Sequence, residues 1–342
     1  MEINFSRNRC YNNKILIIDG QPGCGKTLFS QICSSFKRME IFSFAFELEF
    51  ITKLYNFKKI EKNAASTLIK MLVDHKLYQN MMGREVNFRY NDLSSVFNYP
   101  YTIEYFKRIF SKGDKHVPII IDKVKPILNL TTHDIMSYSD ILFESLGKRL
   151  IFFEILRHPL YMVVQQEINE KELNNNVRDV QLRYDFKGQN IPYYSFAIKK
   201  EYVKANSIDR AILTIKNFTE KNNYMRKKLL KKGRNIFTIP FERFVLKPDI
   251  YLKKMLIYLG TEFGKKTYKI LKKNNIPRSR IEDGIDLDVY RRYGWSPSVK
   301  NSSFEKEKTK RMEYIINKGG SKECIDIILR LSKEYEKNYY WF

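Results

Sequence analysis

The sequence predicts an α/β fold, a three-layer α/β/α arrangement in which a central, mostly parallel sheet carries helices on both faces and is interrupted by helical insertions. Three observations point to it. Short apolar runs recur at residues 14–19, 117–122, 149–156 and 235–240, each closed by turn residues, as strands buried on both faces of a parallel sheet read. Helical patterns separate these runs. The first run leads through Gly20-Gln21-Pro22-Gly23-Cys24-Gly25-Lys26-Thr27 into a helical stretch, which is the strand–loop–helix setting that the P-loop pattern G-x-x-x-x-G-K-[ST] requires.

Taken in order, residues 14–19 form the first strand and 27–36 the helix after the loop. Residues 41–50 are short and aromatic and predict a second strand running into a helix. The stretch 53–112 reads as a helical insertion, broken at Gly83 and at Asn98-Tyr99-Pro100. A further strand is expected at 117–121, with Asp122 at its end, and another at 149–156, ending at Arg157-His158-Pro159. Residues 166–230 are polar and basic with Asn-rich and Tyr-rich turns, and predict helices and loops outside the sheet. The last strand, 235–240, precedes a helix that stops at Gly260, and 278–342 reads as a basic loop followed by an amphipathic helix. These elements predict one domain over 1–342, with its core at 14–50 and 115–265.

The chain has 342 residues, 43% of them hydrophobic and 29% charged, which excludes general disorder and allows a full core. The formal charge is +24. The basic residues are scattered rather than gathered into a tail, and Lys, Asn, Ile, Tyr and Phe all have A/T-rich codons. Base composition therefore accounts for the charge as readily as an anionic partner does, and a nucleic-acid partner is not expected. Cys10, Cys24, Cys33 and Cys324 lack metal-ligand or disulfide-framework spacing. With no apolar leader and no run long enough to span a membrane, the expected location is the cytoplasm.

In the loop, glycines let successive backbone N–H groups turn inward on an anion, and the helix N-terminus and the Lys26 ammonium add positive charge. Anion binding does not by itself choose the chemistry. A kinase or NTPase using ATP or GTP with Mg²⁺ would need Thr27 and an acid at a neighbouring strand end, for which Asp122 is the candidate.

A second reading comes from four segments in order. Arg157-His158-Pro159, continuing to Tyr161 and Gln165, resembles the R-[ND]-P-x-D-x-x-x-S segment with which sulfotransferases hold the 3′-phosphate of 3′-phosphoadenosine-5′-phosphosulfate (PAPS). Leu130-Thr131-Thr132-His133 resembles the family's L-K-T-H segment, whose histidine is the catalytic base. Pro240-Phe241-Glu242-Arg243-Phe244 through Pro248, then Tyr258-Leu259-Gly260, resembles its Y-E-D-L-x-x-x-P and F-L-G pair. The phosphate loop itself aligns from Pro22 onward with the family's P-[RK]-S-G-T-T-L-L loop, with Gly25, Thr27 and Leu28 coinciding. Gly23 stands where the family has Lys or Arg, Lys26 where it has Thr, and Tyr161 and Gln165 replace its acid and serine.

The resemblance implies a sulfotransferase that moves a sulfuryl group from PAPS to a hydroxyl or amine of a polar or anionic small molecule or a saccharide. On it, Gly23, Cys24, Gly25, Lys26, Thr27 and Leu28 bind the 5′ end, and Arg157 and Gln165 bind the 3′-phosphate. Arg292 and Lys300 lie in a basic loop closing over the nucleotide. His133 is the base, and Lys26 either stabilises the leaving oxygen or marks a return to ATP chemistry. A third reading is a non-catalytic nucleotide- or polyanion-binding protein in which Tyr161 and Gln165 mark lost activity.

Overall fold

The computed structural model describes residues 3–173, 176–177, 179–292, 294 and 303–339. The chain runs β1 (Ile15–Asp19), α1 (Lys26–Cys33), β2 (Ser43–Phe44), α2 (Phe46–Asn56) and α3 (Lys62–Met82). Next come α4 (Thr102–Phe106), α5 (Val117–Val124), β3 (Leu128–Thr131), α6 (Asp140–Leu146) and β4 (Leu150–Leu156). Then follow α7 (Val163–Ile168), the hairpin strands β5 (Arg183–Phe186) and β6 (Gln189–Pro192), α8 (Lys199–Lys204), α9 (Ser207–Lys231) and β7 (Ile236–Pro240). Last are α10 (Phe241–Leu246), α11 (Pro248–Leu259), α12 (Thr267–Lys273), α13 (Asp288–Arg292), α14 (Phe304–Asn317) and α15 (Lys322–Tyr339).

Five strands form one sheet in the order β2-β3-β1-β4-β7, every pairing parallel. The alternation of a strand explains why β1 is apolar up to its last residue, Asp19. Leu16 and Ile18 enter one core with Phe153, Ile155 and Ile239 of the neighbouring strands, covered by α1, α11 and α15. Ile15 and Ile17 enter a second core on the opposite face, against residues of α2, α3 and α6. The fold class expected from the sequence is the one observed.

The pieces differ from expectation in three places. Residues 117–122 are not a strand: Pro118 stands in the first turn of α5, where its missing N–H costs nothing, and Val117 and Ile121, one turn apart, are the only residues of that helix that are buried. Ile119, in the middle of the apolar run, is 62% exposed. The strand at this place in the fold is β3, which carries Asn129 and Thr131 and so does not read as apolar. Both are fully buried and bonded to α1 or its C-terminal cap, Asn129 Nδ2 to Ser34 Oγ at 2.9 Å and Thr131 Oγ1 to Ser30 Oγ at 2.7 Å. Second, 166–230 contains a hairpin, turned by Lys187 and Gly188, both at positive φ as a two-residue turn of this kind requires. Third, the described part of 278–342 holds three helices rather than one.

Parallel topology leaves the loops that follow β1, β3 and β4 at one edge of the sheet. Asp19, the last residue of β1 and fully buried, ties two of them together. Its carboxylate accepts the Thr132 hydroxyl (2.9 Å) and the Ile135 and Met136 N–H groups (3.1 and 3.0 Å). Asp19→Ala leaves three buried donors without an acceptor. It is expected to cost about 3 kcal/mol or more in urea unfolding and to speed amide exchange at Ile135 and Met136; unchanged exchange there would remove the clamp assigned to Asp19.

Candidate functional site

The phosphate loop occupies residues 20–27, between β1 and α1. Gly25 caps α1 at φ 91°, in the left-handed region, and a Cβ there would lie 2.5 Å from Phe241 Cε2. Only glycine satisfies both demands. Gly23 has φ 85°, and a Cβ on it would stand 3.1 Å from Gln165 Oε1, so Gln165 of α7 borders the loop. Lys26 Nζ donates to the Gly20 and Gln21 carbonyls at 2.7 and 3.2 Å, which keeps one of its three protons for a ligand. Gln21 Nε2 donates to Thr219 Oγ1 at 3.0 Å and anchors the loop on α9. Thr27 is half-buried at the start of α1.

Two loop residues expected to bind phosphate face elsewhere. Leu28 is buried in the core and its N–H is bonded to Gly25 O at 3.1 Å. Cys24 points its side chain into the same core, where burial pushes its thiol up to about 11, and its N–H bonds to Gln21 O. Both residues act by packing, which is what an apolar or thiol side chain in this position does once the helix forms.

On the β3 side, His133 leads a turn held by Asp19. Its ring stacks against Phe44 and Phe46 at centroid distances of 5.5 and 5.4 Å, and its side chain is 35% exposed. Buried Glu49 of α2 receives both the His133 backbone N–H (2.9 Å) and ring Nδ1 (3.0 Å), and its other oxygen receives Lys53 Nζ at 3.0 Å. Burial raises the Glu49 carboxyl, but Lys53 and His133 outweigh it and hold the group below its ordinary value. An ionised carboxylate can only accept, so Nδ1 carries the proton and Nε2 is left as the basic nitrogen.

Asp134, the next residue, is fully buried at φ 54° with Oδ1 unpartnered. Burial raises it well above its ordinary value, against the pull of Lys26, with Asp19 adding to the rise.

On the β4 side, Arg157 Nη1 donates to Gly23 O at 2.6 Å, placing a second cation on the loop. Its guanidinium lies 4.6 Å from the Phe241 ring centroid and 5.6 Å from that of Tyr161. Its buried Nε has no hydrogen-bond partner and stands 3.9 Å from Glu242, whose oxygens accept the His158 N–H and the Tyr335 hydroxyl. His158 is buried against Tyr161 and Tyr335, and Nε2 meets Glu336 at 3.1 Å.

The structure thus brings Lys26, Gly23, Gly25, Gln165 and Arg157 together, with the His133 turn across the loop. Asp122 does not join them: it is exposed on α5, so the strand-end acid expected there is absent. Arg292 is exposed at the end of α13, and Lys300 lies outside the described residues. A cleft of about 440 Å³ opens between β4, α9 and α15, lined by Gly20, Gln21, Glu154, Arg157, Arg226 and Tyr335, without touching His133. Sequence reasoning missed Glu49 and Tyr335, and met Phe241 and Glu242 only as members of a motif, with no role at the loop. The Glu49–Lys53 pair was visible at i,i+4 spacing, but that pattern reads as a solvated helix face and here is almost wholly buried.

The Asp134 shift carries a prediction. A carboxyl raised on folding contributes stability that is complete below its ordinary value of 3.8 and is lost as pH rises through the folded value. Asp134→Asn mimics the protonated acid and tolerates positive φ. It is expected to unfold at higher urea than the parent at pH 8, by about 1 kcal/mol, with a smaller difference at pH 4; a variant less stable at pH 8 would contradict a neutral Asp134.

No family model and no curated protein matches the chain. Among solved structures, it is similar to the sulfotransferase domain from the Synechococcus PCC 7002 olefin synthase at 12% identity, covering 92% of this chain and 98% of that one, with a TM-score of 0.39. It is similar to sulfotransferase STF9 from Mycobacterium avium at 9% identity, over 96% of this chain and 77% of that one, with a TM-score of 0.43. It is also similar to the sulfotransferase domain from the curacin biosynthetic pathway at 12% identity, over 89% and 98%, with a TM-score of 0.38.

Proposed function

We propose that the protein is a sulfotransferase that uses PAPS, with a hydroxyl or amine of a polar small molecule or saccharide as acceptor. The observation that carries this reading is Arg157, bonded to Gly23 O from the end of the adjacent strand, so that a second anion-binding side chain flanks the phosphate loop. A donor with two separate anionic groups, a 5′-phosphosulfate and a 3′-phosphate, matches that pair. The residues fit it: the glycine cradle has no room for a Cβ at Gly25, and the buried Arg157 Nε lacks an acceptor that a phosphate oxygen would supply.

When bound, such a donor supplies an activated sulfuryl group on a phosphosulfate. The loop N–H groups and the third Lys26 proton bind its 5′ end and stabilise the charge left on the phosphate oxygen as the S–O bond breaks. Arg157, with Gln165 beside it, holds the second phosphate. His133 Nε2 takes the proton from the acceptor as its oxygen or nitrogen bonds to sulfur, while Glu49 keeps Nδ1 protonated and stabilises the imidazolium. Magnesium-dependent ATP chemistry is less well supported, because Asp122 is away from the loop and the Asp19 carboxylate is engaged by Thr132, Ile135 and Met136.

Calorimetry with adenosine 3′,5′-bisphosphate and with ATP, each with and without Mg²⁺, tests the donor. Metal-independent bisphosphate binding, weakened about 10- to 100-fold by Arg157→Ala, is expected. ATP binding that needs Mg²⁺, with no bisphosphate binding, would overturn the reading. With an acceptor in hand, His133→Ala is expected to lower turnover about 10²- to 10⁴-fold. Glu49→Gln should lower turnover about tenfold or more while bisphosphate affinity is retained, and a Glu49 variant that lost both together would be structural only.

A further inference from the structure

Three guanidinium groups gather around two aromatic rings beside the phosphate loop, and only Arg157 belongs to a motif. Arg311, on α14, lies 4.2 Å from the centroid of the Tyr161 ring, which Arg157 also approaches. Arg278, in the segment after α12, lies 5.6 Å from the centroid of Phe241, the ring that Arg157 approaches more closely. The Tyr161 ring is fixed in turn, its hydroxyl donating to Glu282 at 2.9 Å and its face parallel to Phe304 at 6.1 Å.

This arrangement is costly as it stands. Burial, followed by the Arg157 charge, pulls the Arg311 guanidinium below its ordinary value, while Tyr161, Glu307 and Glu282 pull it back. The Nε protons of Arg157 and Arg311 are both buried and neither has a hydrogen-bond acceptor. Two like charges at close quarters, each with an unsatisfied buried donor, are relieved together by one anion with several oxygens. The aromatic faces hold the guanidinium planes by cation–π attraction and take up none of their N–H donors.

We infer that Arg311, assisted by Arg278, joins Arg157 in a site for a phosphomonoester dianion, with Tyr161 and Phe241 as the platforms that orient the guanidinium groups. The inference rests on the PAPS reading above and identifies the dianion with the donor's second phosphate. It gives Tyr161 a role: a phenol ring in that position supports Arg311, where a carboxylate would neutralise it. It also makes α14 part of the nucleotide site, although the helix begins more than 140 residues after Arg157 in sequence.

Calorimetry on the full chain with adenosine 3′,5′-bisphosphate and adenosine 5′-monophosphate tests it, in the parent, Arg311→Gln and Arg311→Lys, with thermal unfolding measured on each. The parent is expected to prefer the bisphosphate. Arg311→Gln should weaken the bisphosphate about 10- to 100-fold and the monophosphate by less than about threefold. Arg311→Lys keeps the charge without the fork and should fall between the two; it carries the test if the Gln variant does not fold. A parent that prefers the bisphosphate, with the preference intact in both variants, overturns the role of Arg311 and leaves the donor reading standing. Equal loss of both ligands also overturns it, since a structural defect does not discriminate. A parent that binds the two ligands equally overturns the donor reading and this site with it.

Discussion

The site hangs on the Asp19 carboxylate. A strand buried on both faces can present functional groups only at its ends, and β1 ends in an acid whose acceptors are all directed at the turn after β3. One residue later the chain enters the phosphate loop. The same side chain therefore fixes where the loop begins and where His133 stands, and the two halves of the site cannot move apart without breaking buried hydrogen bonds. Register reinforces this, since β1 pairs in parallel with β3 on one side and β4 on the other, bringing the His133 and Arg157 ends to the same edge.

Charge around the loop is arranged with equal economy. Asp19, Asp134, Lys26, Glu49 and Lys53 cluster at the β3 side. Were Asp134 ionised, it would repel an anionic ligand from Lys26. Burial raises it well above its ordinary value, and raises Asp19 as well, so both acids beside Lys26 are shifted toward the neutral form. Glu49 goes the other way, because Lys53 and His133 pair with it directly. The environment thus pushes the two buried acids apart, Asp134 upward and Glu49 downward.

Much of the fold was legible in the sequence because β1, β4 and β7 are largely buried and their residues record it as mostly apolar runs, interrupted only by Glu154 in β4 and Thr238 in β7 before the strand ends. The phosphate loop was legible for a different reason: its backbone requires glycine at Gly23 and Gly25, and few other residues can stand there. Legibility failed where burial and polarity part company. β3 hides because Asn129 and Thr131 are buried by hydrogen bonds to α1, and α5 imitates a strand because Pro118, a helix starter, precedes three isoleucines of which one is exposed. Glu49 and Lys53 imitate a surface pair. Glu242 stands in a motif match that says nothing of what it touches, and Tyr335 carries no local signal, since the two meet only when α10 and α15 fold together.

That last meeting explains the weight carried by the C-terminal helices. Arg157, on a short turn after β4, is held by the Gly23 carbonyl, two buried aromatic neighbours and one carboxylate. Glu242 is kept from neutralising it outright by its own engagements, one oxygen on the His158 N–H and the other on the Tyr335 hydroxyl of α15, at 3.1 and 2.6 Å. The carboxylate thereby orients the guanidinium from 3.9 Å without closing a hydrogen-bonded pair with it. A tighter ion pair would stabilise the fold and cancel the charge; the looser one leaves Arg157 positioned, partly desolvated and still able to bind an anion. Tyr335 of the C-terminal helix α15 thus reaches Arg157 through Glu242.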